Sequence, residues 1–318
     1  MASAGITSRL PRSRTVGEVT DPTAPTAVIH DGHTTQIKWH RARRRADDPA
    51  FTTSRIIEGM AVGASVEVDL VLHADRGFAV LHDRDVAHAT TGTGHISELP
   101  ASYVRTLFLR SNAGVPLDEP VLLLEDLADI LDRQAVHPDA LLQLDFKEDA
   151  QALDTAAIDT FARAVAPIAR NVILSCGDAQ AVRLLTDPVP GIRIGYDPCH
   201  HGAVDRVLRS GDFAIFVERA VTASPRAEMI YLERRLILEA DGRGFDIIAA
   251  FHAHARTIDA YALYRADGES VREARRLIEL RADQITTDDP EGVVAALTGA
   301  ASSSAAAELD GIFDVDGR

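Results

Sequence analysis

Short runs rich in Val, Ile, Leu and aromatic residues recur along the chain, separated by stretches whose apolar positions return every three or four residues. The first kind predicts strands at Gln36–His40, Ser65–Leu70, Phe78–His82, Leu141–Phe146, Asn171–Ser175, Ile192–Tyr196, Phe213–Val217, Asp246–Ala250, Ala260–Leu263 and Gln284–Thr287. The second predicts helices over Thr52–Val62, Leu122–Gln134, Thr155–Ala169, Ala179–Thr186, Ala227–Ala240 and Ser270–Arg281. Strand–helix alternation of this length predicts a parallel sheet, and about eight such units predict an α/β fold closed as a TIM (β/α)8 barrel. Ten strand candidates are one or two too many, so the surplus lies outside the barrel or is not strand.

Length and composition narrow this picture. The 318 residues fit one barrel of roughly 250 residues with ragged ends, read here as an irregular leader over 1–35, the barrel over 36–299 and a flexible Ser/Ala-rich tail over 300–318. No apolar run approaches the roughly 18 residues of a membrane span, and the leader lacks the apolar core of a secretory signal. Cys176 and Cys199 are too few to staple a chain of this size and suit a reducing, cytoplasmic setting. A formal net charge of −15 argues against nucleic-acid binding. It also means that any site for a phosphate ester must be locally cationic.

Four strand-like pieces carry charge where a buried strand should carry only aliphatics: Trp39-His40-Arg41, Val66-Glu67-Val68-Asp69-Leu70, Val80-Leu81-His82-Asp83 and Leu144-Asp145-Phe146-Lys147. Glu67 and Asp69 are two apart and share one face of a strand, while Val66, Val68 and Leu70 cover the other. Neighbouring carboxylates on a buried strand repel and lose solvation unless a cation lies between them. A divalent metal, with Asp145 as a third oxygen ligand, would resolve that conflict. His40 and His82 could transfer protons beside it, and Arg41 could grip two phosphate oxygens at once.

In this order the residues resemble the glycerophosphodiester phosphodiesterase family. His40-Arg41-Ala42 is similar to its His-Arg-Gly strand end, Glu67-Val68-Asp69 to its Glu-x-Asp, and His82-Asp83 followed by Thr90–Gly94 to its His-Asp step and Thr/Gly-rich loop. Pro120–Leu131 resembles the proline-led helix, Asp145-Phe146-Lys147 the Glu-x-Lys strand, and Thr287-Asp288-Asp289-Pro290 the closing turn. Ala42 replaces a glycine, Pro49-Ala50-Phe51-Thr52 is a degraded Pro-Glu-Asn-Thr, Asp145 replaces a longer Glu, and Tyr261-Ala262-Leu263 stands for Trp-Thr-Val.

The resemblance implies Mg2+ or Ca2+ held by Glu67, Asp69 and Asp145, acid–base catalysis by His40 and His82, and phosphate binding by Arg41 and Lys147. Tyr261 would line the pocket mouth. The substrate would be a small phosphodiester derived from lipid, hydrolysed to an alcohol and a glycerol phosphate. A lysophospholipase D-type activity on lysophospholipids and a non-catalytic barrel for phosphorylated ligands remain open beside it. His252 and His254, on one strand-like face, and His200-His201 beside Cys199 lack a third ligand at a familiar zinc spacing, so they read as pocket lining or structure. Thr90–Gly94 lacks the lysine of a phosphate loop and reads as a connection.

Overall fold

A computed structural model describes residues 26–299 of the chain. Both the first 25 residues of the expected leader and the expected tail over 300–318 lie outside the described residues.

Twelve strands are described: β1 (Ala27–His30), β2 (His33–Trp39), β3 (Ser65–Leu72), β4 (Phe78–Val80), β5 (Phe108–Arg110), β6 (Pro116–Pro120), β7 (Leu141–Phe146), β8 (Val172–Cys176), β9 (Arg193–Tyr196), β10 (Met229–Glu233), β11 (Thr257–Leu263) and β12 (Gln284–Thr287). Eight of them, β2, β3, β7, β8, β9, β10, β11 and β12, pair in parallel in that order, and β12 pairs back onto β2. This is a closed TIM barrel. Two further strands lie antiparallel on it, β1 on β2 and β4 on β3, while β5 and β6 form a separate ribbon. Residues 27–35, expected to be irregular, instead form β1 and the first part of β2, paired as a hairpin.

Outward strand residues such as Ile37, Ile230, Leu232, Ile258 and Ile285 pack against helix residues Leu236, Ile248, Phe251 and Leu277 on one side of the barrel. Trp39, Val66, Val68, Leu142 and Leu144 pack against Ile56, Leu127 and Phe161 on the other. A much smaller cluster of Leu141, Ile173, Met229 and Tyr231 is set apart from both. Four helices begin on an aspartate whose carboxylate accepts a first-turn N–H: Asp154 from Ala157, Asp178 from Gln180, Asp246 from Ala249 and Asp267 from Ser270. Such caps satisfy donors that the helix itself leaves free.

Three of the expected elements differ. Phe213–Val217 has the composition of a strand, but its segment forms the helix Phe213–Ala223, buried at Phe213, Val217 and Ala220; that spacing of four and three is a helical stripe. Asp246–Ala250 is likewise helical, because Asp246 caps the helix Ile247–His252. Conversely, Met229–Glu233 is β10 rather than the start of a helix over Ala227–Ala240, and the helix begins only at Arg234. The barrel slot between β9 and β11 decides this, since β10 pairs with both. Phe78–His82 is a short strand outside the barrel. No helix among the described residues is long and apolar enough to cross a membrane.

Candidate active site

Parallel pairing puts the charged residues of successive strands in one row. Asp69 on β3 is the register partner of Asp145 on β7, and Asp145 that of Ser175 on β8; one layer below, Glu67 faces Gln143. Oxygens of Glu67, Asp69 and Asp145 lie within 4.8 Å of one another. Glu67 and Asp69 are buried, with Asp69 fully so.

Cations surround this cluster. The Lys147 ammonium stands 2.7 Å from Asp69 Oδ1 and also bridges to Asp145 Oδ2. Arg41 Nε lies 3.3 Å from Asp69 Oδ2, and the Arg41 backbone N–H donates to Glu67 Oε2 at 2.6 Å. The left-handed backbone at Arg41 and Ala42, with φ of 53° and 58°, follows directly after β2. This is where the glycine of the family motif would be free of the Cβ penalty.

Burial and the neighbouring Glu67 push the Asp69 carboxyl up to about 7, against the pull of Lys147 and Arg41. At Asp145 burial acts the same way, but Lys147 and the Ser175 hydroxyl, which donates at 2.5 Å, outweigh it and hold that carboxyl below its ordinary value. Neither oxygen of Asp69 receives a hydrogen bond of good geometry, despite the close ammonium. A buried carboxyl with ion pairs but no well-aligned hydrogen bond, between two more carboxylates, is a hard-oxygen set that fits a divalent cation.

The cluster opens into a cavity of about 270 Å3 lined by His40, Arg41, Glu67, Asp145, Lys147 and Tyr261, among others. His40 Nδ1 meets Asp288 Oδ1 at 2.6 Å, and Arg43 meets the same oxygen at 3.1 Å. Tyr261 donates to Asp197 Oδ2 at 2.9 Å, and His200 Nε2 reaches that oxygen at the same distance. Asp69 lies behind the lining. His82 is outside it too: its ring is 40% exposed, with Nδ1 2.7 Å from Asp83. Seven of the eight expected site residues thus sit in or directly behind the cavity wall, and His82 is not among the residues that line it.

The profile of the "Glycerophosphoryl diester phosphodiesterase family" matches residues 52–292. The chain belongs to that family. It is thereby a phosphoric diester hydrolase of the glycerophosphodiester phosphodiesterase type. The match begins after His40 and Arg41, so those two rest on the geometry above. Its fold is similar to that of a glycerophosphodiester phosphodiesterase from Agrobacterium tumefaciens (20% identity over 82% of this chain and 99% of the other, TM-score 0.59). It is also similar to one from Thermotoga maritima (20% identity, 82% and 98% covered, TM-score 0.57). A third similar structure is an Oleispira antarctica phosphodiesterase in complex with the product sn-glycerol-3-phosphate (15% identity, 83% and 96% covered, TM-score 0.57). No curated protein matches the chain.

Several site residues escaped sequence reasoning as functional groups. Asp288 was visible only as part of a turn motif, yet it is the partner of His40. Lys38, Gln143 and Thr286 line the cavity from inside the barrel. Lys38 carried a signal, a charge flanked by Ile37 and Trp39 in a strand. His200 lines the cavity, in keeping with its expected bland role, whereas His252 ends a helix and pairs with Asp283 at 2.8 Å, away from any strand face.

Proposed function

We propose that the chain is a divalent-metal-dependent glycerophosphodiester phosphodiesterase that releases an alcohol and a glycerol phosphate. One observation carries the metal: the fully buried Asp69 carboxylate, whose oxygens receive no well-aligned hydrogen bond, lies within reach of both Glu67 and Asp145. Glu67, Asp69 and Asp145 would hold Mg2+ or Ca2+. When bound, such an ion polarises the phosphoryl group and offsets the charge that develops on it.

The protein's own groups account for the remaining chemistry. Arg41 and Lys147, both at the cavity wall, bind non-bridging phosphate oxygens and supply the local positive charge that an acidic protein needs for an anionic ester. His40 donates Nδ1–H to Asp288, so its neutral ring presents the Nε2 lone pair as a base. His82, with Nδ1 held against Asp83, would have to act in its imidazolium form, giving an Nε2 proton to the departing alkoxide, and would have to approach from beside the cavity, whose wall it does not line. Tyr261 borders the substrate. The glycerol phosphate product of the Oleispira antarctica relative agrees with this reading. The two unpaired thiols suit a cytoplasmic setting.

The experiment is hydrolysis of glycerophosphocholine and of lysophosphatidylcholine by purified protein with Mg2+, Ca2+ or EDTA. EDTA-sensitive release of choline from glycerophosphocholine is expected. Cleavage of lysophosphatidylcholine alone would transfer the assignment to a lysophospholipase D, and metal binding without any hydrolysis would leave a ligand-binding barrel.

A further inference from the structure

A chain of polar side chains runs through the barrel interior and ends on the carboxylate cluster. It starts at Asp259 on β11, which pairs with Lys38 on β2 at 2.9 Å. The Lys38 ammonium donates to Gln143 Oε1 on β7, and Gln143 Nε2 donates to the Ser175 hydroxyl on β8 at 2.8 Å. That hydroxyl donates to Asp145 Oδ1 at 2.5 Å. Asp259, Lys38, Gln143 and Ser175 are all buried.

The direction of each bond follows from the first. An ammonium has donors only, so Gln143 must turn its carbonyl to Lys38 and its NH2 to Ser175. The Ser175 oxygen then accepts, and its one hydrogen is left for Asp145. With the amide turned the other way, the hydroxyl could donate to Gln143 and leave Asp145 Oδ1 without it. Lys38 is itself held in place, since Asp259 accepts from Thr286 at 2.6 Å and from Gln284.

Stability alone does not account for such a chain. Barrel interiors are ordinarily filled by Val, Ile and Leu, and a buried ion pair is often matched or bettered by hydrophobic residues of similar volume. What the chain achieves is at its end. Ser175 meets one oxygen of Asp145 and Lys147 meets the other, so the carboxylate is held from both sides.

We infer that Lys38, Gln143 and Ser175 form a positioning relay that aims the Ser175 hydroxyl at Asp145 and thereby fixes this carboxylate for the divalent cation. The inference rests on the metal reading above and extends it to residues outside the carboxylate cluster. Partners that orient a metal ligand govern affinity without belonging to the ligand set. Lys38 and Gln143 act here only through Ser175.

Calorimetric titration of the EDTA-dialysed protein with Mg2+, and in parallel with Ca2+, tests this on wild type, Ser175→Ala, Gln143→Met and the double variant. Ser175→Ala should weaken binding by at least ~10-fold, and Gln143→Met should weaken it by less. The double variant should bind as Ser175→Ala does, to within about twofold, because the two residues act in series. Wild-type affinity in either single variant overturns the relay, as do losses that multiply in the double variant. Melting in EDTA separates positioning from packing: a packing role alone lowers the melting temperature and leaves the affinity of the folded protein unchanged, which also counts against the relay. Gln143→Met decides the matter should Ser175→Ala fail to fold. A wild type that takes up neither ion sinks the metal reading and the relay with it, whereas unaffected variants of a wild type that binds sink the relay alone.

Discussion

His40 Nδ1 lies 2.6 Å from Asp288 Oδ1, although 248 residues separate them. Closure of the barrel brings this about, because β12 pairs with β2 and delivers the turn after Thr287 beside the end of β2. Asp288 fixes the ring tautomer and stabilises the ring when it takes a proton. Asp288→Asn should leave the fold and the KM for glycerophosphocholine nearly unchanged while lowering kcat on the order of 10²-fold or more, as loss of a histidine-orienting carboxylate does elsewhere. A kcat within twofold of wild type would remove His40 from the chemistry.

The carboxylate cluster sets function against stability. Asp69 is buried beside Glu67 with its carboxyl pushed up to about 7, so its ionised form opposes folding when no metal is bound. Asp69→Asn should weaken Mg2+ binding by at least ~10-fold and abolish EDTA-sensitive hydrolysis. In EDTA the same variant should melt above wild type, by roughly 2 °C or more. Calorimetry with and without chelator reads both effects, and a lower melting temperature in EDTA would contradict the account.

The barrel interior holds an ion pair that only its partners make tolerable. Lys38 and Asp259 are 1% and 0% exposed and 2.9 Å apart. Removing one charge strands the other in a dry interior. Lys38→Met should cost about 3–5 kcal/mol of unfolding free energy, measured by urea denaturation. Adding Asp259→Asn to it should restore much of the loss, and a double variant no better than Lys38→Met would show that the charge pairing is not what matters.

Away from the site, His252 gives a pH signature. Its Nε2 meets Asp283 at 2.8 Å, and that hydrogen bond, with the carboxylate charge, raises its pKa above the ordinary 6.5 despite partial burial. A folded-state value above the unfolded one adds stability that is fully present below about pH 6.5 and fades as pH rises through the folded value. The melting-temperature gap between wild type and His252→Gln should therefore be wider near pH 6 than near pH 8.5. A gap that widens with pH would have the wrong sign.

What the sequence determined by itself is local. Alternation in Val66–Leu70 put two carboxylates on one face of an apolar strand, and the same pattern around Asp145 supplied a third. Seven barrel strands were legible as short runs rich in Val, Ile, Leu and aromatic residues, because strands covered by helices must be largely aliphatic. The limits are equally local. Met229–Glu233 does not alternate visibly, and Phe213–Val217 has strand composition on a helix, so only the pairing of β10 with β9 and β11 decided between them.

Tertiary structure alone decided which residues share the interior. Asp288 reaches His40, Tyr231 faces Lys38, and Ser175 steadies Asp145 because closing eight strands into a barrel stacks positions that lie far apart in the chain. His82 was as plain in the sequence as His40. Its exposed position beside Asp83 depends on the loop that follows β4, whose course no period in the sequence records.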